Sequence, residues 1–322
     1  MKKAISLILA LVLCLGLCAC GENTPTNANT TTNGSNSSSS VPTDTEGPTE
    51  ATVTTTVPET TESEEEKMQK LIDYNKALDL LENIDIYCTL EQIDDMSKAY
   101  NLLVALGNYK DAPDILARFT ECSLIITNHP TGQVWKQIYN MQGDSVVSFT
   151  DAPKYFINKY DDHGRLVYAE CFDSAGKLIY YRTQEYNEAG QIVRQELVRD
   201  GNSTAYEFDI KENETIRYYV VNGERQNAMT ITYESGVVVR EYSGDDTNYV
   251  DTTYTYNEDG LLIEKISFFS RTGGANRYTY EYDEDGNLIV EKKYSIYENG
   301  ETTCSETTYT YSTVYIYTPS QS

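Results

Sequence analysis

The chain has 322 residues, with 25 Lys and Arg against 50 Asp and Glu, a formal net charge of −25. Acidity of this size argues against a nucleic-acid partner, which needs a basic patch to release counterions, and against electrostatic adhesion to an anionic bilayer. With 28 tyrosines against 7 phenylalanines and one tryptophan, tyrosine supplies most of the aromatic content.

The opening MKKAISLILALVLCLGLCAC sets two lysines before an apolar run that is short for a transmembrane span. Leu17-Cys18-Ala19-Cys20 resembles the lipobox of bacterial lipoproteins. That resemblance implies a signal peptide over residues 1–19, a diacylglyceryl or acyl anchor on Cys20, and a bilayer partner reached through lipid instead of a helix. The expected location is extracytoplasmic, anchored at the cell membrane and surface-exposed. Residues 20–63 hold the modified cysteine and a stretch rich in Asn, Thr, Ser, Pro, Gly and Glu, with no Lys or Arg before Lys67. Such a composition buries too little apolar surface to offset its ordering entropy, so it is expected to be a tether spanning about 35–40 Å on average.

Residues 64–124 read as a helical module. Met68, Leu71, Ile72, Leu78 and Leu81 recur at three- and four-residue spacing behind three glutamates, which suit the positive end of a helix dipole. Thr89-Leu90-Glu91-Gln92 has capping-box form, and Ile93, Met96, Tyr100, Leu103 and Leu106 supply a second stripe that stops at Gly107. Asp111 and Pro113 start a third helix whose buried face is Ile115, Leu116 and Phe119. The run AYNLLVALGNYKDAPDIL is similar to half of a tetratricopeptide-type unit. A single such unit is unstable alone, so the module is expected to dock on the strand-rich domain C-terminal to it.

Residues 131–318 alternate with period two, and one octet recurs: YNMQGDSV at Tyr139, YDDHGRLV at Tyr160, FDSAGKLI at Phe172, YNEAGQIV at Tyr186, YNEDGLLI at Tyr256 and YDEDGNLI at Tyr282. Asp or Asn starts a type I turn and Gly, three places later, takes the left-handed position that closes it. Tyr282 should therefore face Leu288, and Tyr256 should face Leu262. The two residues inside the turn vary freely, whereas a calcium loop fixes its acids. The clusters that offer ligands are Asp283, Glu284 and Asp285 with Asn257, Glu258 and Asp259; turn chemistry accounts for both, and no metal or other cofactor is expected.

The octets resemble YD repeats of the RHS type over roughly Tyr139 to Tyr317. The resemblance implies stacked antiparallel hairpins, which in large members close into a shell, and a link to carbohydrate binding in some arrays. This array is short, degenerate between Phe208 and Tyr249, and followed only by a tail at 319–322. The expected fold class is therefore α+β, mainly β: a small helical module and an open, twisted or coiled hairpin sheet.

Within that sheet Tyr278, Tyr280 and Tyr282 share one face, as do Tyr254 and Tyr256. Two readings stand for these ladders: a tyrosine core, or an exposed platform for sugar rings or a partner protein. Trp135 is expected to pack on the helices. Cys88 and Cys122 flank the helical module and could form a disulfide in an oxidising compartment. No HExxH, GxSxG, phosphate loop or paired-cysteine zinc spacing occurs. The functional expectation is a non-catalytic surface lipoprotein that binds glycan or protein. The alternatives are a structural envelope lipoprotein that assembles through edge strands and a polysaccharide hydrolase built on a carboxylate pair.

Overall fold

The computed structural model describes residues 62–319, apart from 151, 298 and 299 and the side chains of 301, 303 and 304. The signal peptide, Cys20 and the tether up to residue 61 lie outside the described residues, as do 320–322. Among the described residues three helices come first: α1 (Glu64–Leu81), α2 (Leu90–Leu106) and α3 (Ala112–Leu116). Sixteen strands come after them: β1 (Phe119–Asn128), β2 (Val134–Tyr139), β3 (Ser145–Phe149), β4 (Lys154–Tyr160), β5 (Leu166–Asp173), β6 (Leu178–Tyr186), β7 (Ile192–Arg199), β8 (Asn202–Ile210), β9 (Glu214–Val221), β10 (Glu224–Glu234), β11 (Val237–Gly244), β12 (Tyr249–Tyr256), β13 (Leu262–Phe269), β14 (Gly274–Tyr282), β15 (Leu288–Tyr297) and β16 (Gly300–Tyr317). Each pairs antiparallel with its sequence neighbours, and β1 pairs with both β2 and β16, so the sheet is a closed barrel.

Closure corrects the expected open sheet. The strand that closes it comes from the segment assigned to the helices: the third helix ends at Leu116, and Phe119 opens β1 instead of extending a helical face. Asp111 makes no side-chain cap; its carboxylate accepts the Tyr74 hydroxyl, tying α1 to the start of α3.

The octets fold locally as their turn chemistry requires. All six octet glycines, Gly143, Gly164, Gly176, Gly190, Gly260 and Gly286, have φ between 75° and 85°, where a Cβ is disfavoured. In the last octet the Gly286 N–H donates to the Asp283 carbonyl at 3.0 Å and the Asp283 N–H to the Asn287 carbonyl at 2.9 Å. Tyr282 lies opposite Leu288 and Tyr256 opposite Leu262, each followed at once by a register shift that adds a residue to the returning strand. The same shift lies between each of Tyr139, Tyr160, Phe172 and Tyr186 and the residue before it. Such bulges increase local twist, so the repeat supplies curvature along with reversals.

Tyrosine hydroxyls then link one hairpin to the preceding one. Tyr186 donates to the Leu166 carbonyl at 2.8 Å, Tyr256 to Val238 at 2.8 Å, Tyr282 to Leu262 at 2.7 Å and Tyr311 to Leu288 at 2.8 Å. Tyr282→Phe removes one such donor while keeping the ring; an expected loss of about 1 kcal/mol of unfolding free energy would appear as a lower urea midpoint at constant slope.

The two faces of the barrel differ. Among the described residues the buried polar ones, Thr127, Ser148, Thr215, Thr252, Ser267 and Thr307, fall on a single face when the registers are followed around the sheet. The same face lines two concave hollows, so it is the inner one. The helices cover part of the outer face: Ala99, Leu103 and Met96 of α2 share a core cluster with Cys122, Ile138, Val147, Tyr155 and Val314. On α1 the buried residues are Tyr74, Ala77 and Leu81, while Met68, Ile72 and Leu78 are exposed, a rotation of the expected stripe toward the barrel. The Thr89–Gln92 capping box is present in both directions.

Cys88 and Cys122 are free buried thiols, which corrects the proposed bridge. Cys88 sits where its carbonyl accepts the Tyr155 hydroxyl from β4, whereas Cys122 lies opposite Val314 between β1 and β16. Burial pushes both thiols to about 11, so they are protonated and inert at neutral pH.

Candidate functional site

The tyrosines that could have formed an exposed platform face inward. Tyr254 and Tyr280 are buried, and Tyr256, Tyr278 and Tyr282 pack against them as partly buried neighbours. Their ring faces are partly occupied: Lys265 lies 5.6 Å from the ring centres of both Tyr254 and Tyr278, and Lys293 lies 5.7 Å from Tyr278, within cation–π range. Near these lysines on the inner face, opposite Tyr280, stands Glu291, whose carboxyl burial pushes up while Lys265 and Lys293 pull it back. The ladder is built into the wall.

The turn acids are also engaged. Asp283 Oδ1 accepts backbone N–H groups from Asp285 at 3.0 Å and Asn287 at 2.8 Å, and Asn257 Oδ1 accepts those of Asp259 at 3.1 Å and Leu261 at 2.9 Å. Asp285 and Asp259 thus act in these turns as backbone donors. Among the described residues no group of three or more His, Cys, Asp or Glu side chains is arranged to hold a metal ion.

The inner wall opens into a cavity of about 520 Å³ where β2 to β7 curve together. Trp135 and Gln137 come from β2, Ser145 and Ser148 from β3, Lys154, Phe156 and Asn158 from β4, with Ala169, Tyr180, Arg182 and Leu197 beyond. Alternation explains the set: Lys154, Phe156 and Asn158 share the inner face of one strand, and Tyr180 and Arg182 that of another. Trp135 does not pack on the helices, because it points to the opposite side of β2 from Ile138, which does. It meets His129 instead, ring centres 4.0 Å apart and steeply inclined. The Trp135 indole nitrogen and His129 Nε2 are buried without hydrogen-bond partners among the described residues.

Three aromatic rings, two cations and several amide or hydroxyl groups therefore converge on one hollow, as in a small-ligand site. Nothing in the sequence marked Lys154, Phe156, Asn158, Tyr180 or Arg182, since they come from two strands separated in the chain; the usable signal was a cation spaced two residues from an aromatic in both KYF and YYR. A smaller hollow of about 420 Å³ lies farther round, where Tyr206 and Tyr219 pack 5.6 Å apart and Arg217 covers Tyr206 at 5.2 Å.

No protein-family model and no curated protein matches the chain. Among solved structures it is similar to a porin-like protein from Bacteroides uniformis ATCC 8492, with TM-score 0.40 and 16% identity over 60% of this chain and 96% of that one. It is also similar to a chain of the TcdB2–TccC3–Cdc42 structure, with TM-score 0.23 and 10% identity over 56% of this chain and 14% of that one. A protein of unknown function from Bacteroides fragilis NCTC 9343 scores 0.14 at 15% identity, over 48% of this chain and 91% of that one. Likeness at this level assigns neither activity nor ligand.

Proposed function

We propose that this chain is a non-catalytic envelope lipoprotein, held at the membrane through Cys20, whose barrel receives a carbohydrate in the cavity between β2 and β7. The observation that carries the reading is the lining: Trp135, Phe156 and Tyr180 offer ring faces, Gln137 and Ser148 offer donors and acceptors of the kind sugar hydroxyls require, and Asn158, whose amide donates to the Ser145 carbonyl at 3.0 Å, adds an acceptor oxygen. The RHS-like octets that resemble carbohydrate-linked arrays serve here as the scaffold that curves these strands.

The barrel wall supports a water-facing domain on a lipid anchor. Its outer face carries Arg194–Glu207 at 2.6 Å, Arg225–Glu207 at 2.8 Å, Arg240–Asp251 at 2.7 Å, Arg277–Glu264 at 2.6 Å and Lys292–Glu281 at 2.5 Å. A bilayer-spanning barrel needs an apolar outer band about 25 Å tall at such positions. Assembly through sheet edges is disfavoured because every strand already has two partners.

A glycan array probed with the full chain and with Trp135→Ala tests the reading. Binding by the parent and a loss of about tenfold or more in the variant is expected, since truncating a stacking ring typically removes about 1–3 kcal/mol. An array left blank by the parent would remove carbohydrate as the ligand, and release of reducing ends would return the hydrolase.

A further inference from the structure

The inner cavity holds two cations that lack the carboxylate partners of several outer-face cations. On the outer face the arginines and the lysine named above each pair with a carboxylate. Inside, among the described residues, neither the Lys154 nor the Arg182 side chain makes an ion pair or a hydrogen bond, although both line the hollow. Two acids of the adjoining strands and turns are partly engaged elsewhere. Asp173, opposite Lys154 in register, spends Oδ1 on the backbone N–H groups of Ala175 and Lys177 at 2.9 Å each. Asp144 accepts the Tyr160 hydroxyl at 2.9 Å and feels Arg182 only at a distance. Arg199, at the end of β7, is drawn over the Tyr180 ring at 5.5 Å. In a chain of net charge −25, two cations without an ion-pair partner in one partly enclosed hollow are placed to receive an anion.

We infer that the cavity selects acidic saccharides, with Lys154 and Arg182 receiving a carboxylate or sulfate of the sugar while Trp135, Phe156 and Tyr180 hold its ring. The inference rests on the carbohydrate reading and narrows its ligand class. Arg182 supplies the planar fork that matches a carboxylate or sulfate with two parallel bonds, and Lys154 a second, adjustable contact. A neutral sugar in the same place leaves both cations unpaired, so discrimination on the order of a hundredfold is expected.

The experiment titrates the full chain with trigalacturonate, its fully methyl-esterified form, and a panel of sulfated and neutral oligosaccharides. Acidic members are expected to bind about a hundredfold more tightly than neutral ones, and Arg182→Gln is expected to reduce acid binding to the neutral level without changing the melting temperature by more than a few degrees. Lys154→Gln provides a second variant should the first misfold. A third readout needs no variant: acid affinity falls with added salt and neutral affinity does not. Equal binding of acid and ester, unmoved by Arg182→Gln or by salt, overturns the inference and leaves the carbohydrate reading standing. A panel in which neither class binds overturns both.

Discussion

Deleting residues 119–128 is expected to abolish monomeric folding. That segment is β1, whose ten residues pair along β16 from Phe119–Tyr317 to Asn128–Thr308 and whose second edge pairs with β2 from Ser123–Tyr139 to Asn128–Val134. Without it, β2 and β16 become long open edges with free N–H and C=O groups, the feature that templates edge-to-edge aggregation. Both cores also lose side chains, because Cys122 belongs to the helix-covered cluster and Ile125 to the inner tyrosine cluster. A fragment covering 131–318, the boundary that alternation alone suggests, has the same defect and loses the helices as well. Size-exclusion chromatography with light scattering should find aggregates or strand-swapped oligomers for both, and urea titration no single cooperative step. A monomeric fragment 131–318 with a sharp transition would show that closure contributes nothing to the fold.

The reason β1 was illegible lies in its residues. In FTECSLIITN the positions Cys122, Leu124 and Ile126 face outward, Cys122 and Leu124 against the helices, while Ser123, Ile125 and Thr127 face the barrel interior. With apolar residues on both faces the period-two signal vanishes, and a short apolar run of this kind reads equally as helix. The octets had no such ambiguity: an Asx starter and a left-handed glycine decide their turns within five residues, whatever the tertiary surroundings. The stretch after Phe208 looked degenerate because it changes turn type. Asn222-Gly223 and Ser235-Gly236, like Asp200-Gly201 before it, place two successive residues at positive φ, the two-residue hairpin connection. The cavity was invisible for a different reason. Its lining residues sit one to three to a strand over β2 to β7, and nothing local distinguishes an inward Lys154 from the many outward charges until the direction of curvature is known.

That direction makes a strong and testable contrast between two isoleucines on the outer face. Ile138 on β2 lies opposite Leu124 and Val147, is fully buried, and shares the helix-covered cluster with Met96 and Leu103. Ile157 on β4 lies opposite Glu170, beyond the helices, and is 41% exposed. Changing each to lysine introduces the same side chain on the same side of the same sheet. At 138 the ammonium enters an apolar cluster with no carboxylate to meet it, and the expected cost is about 4 kcal/mol. For a domain of this size that corresponds to a melting temperature lower by roughly 8–16 °C. At 157 the lysine reaches water and faces Glu170, and the expected change is within about 0.5 kcal/mol. Thermal unfolding of the two variants measures the difference. Hydrogen exchange locates it: the Ile138→Lys variant should lose protection first in α1 and α2, whose hold on the barrel runs through this cluster, while the octet hairpins far round the circumference keep theirs. Equal losses at the two positions would mean that the helices do not cover β2.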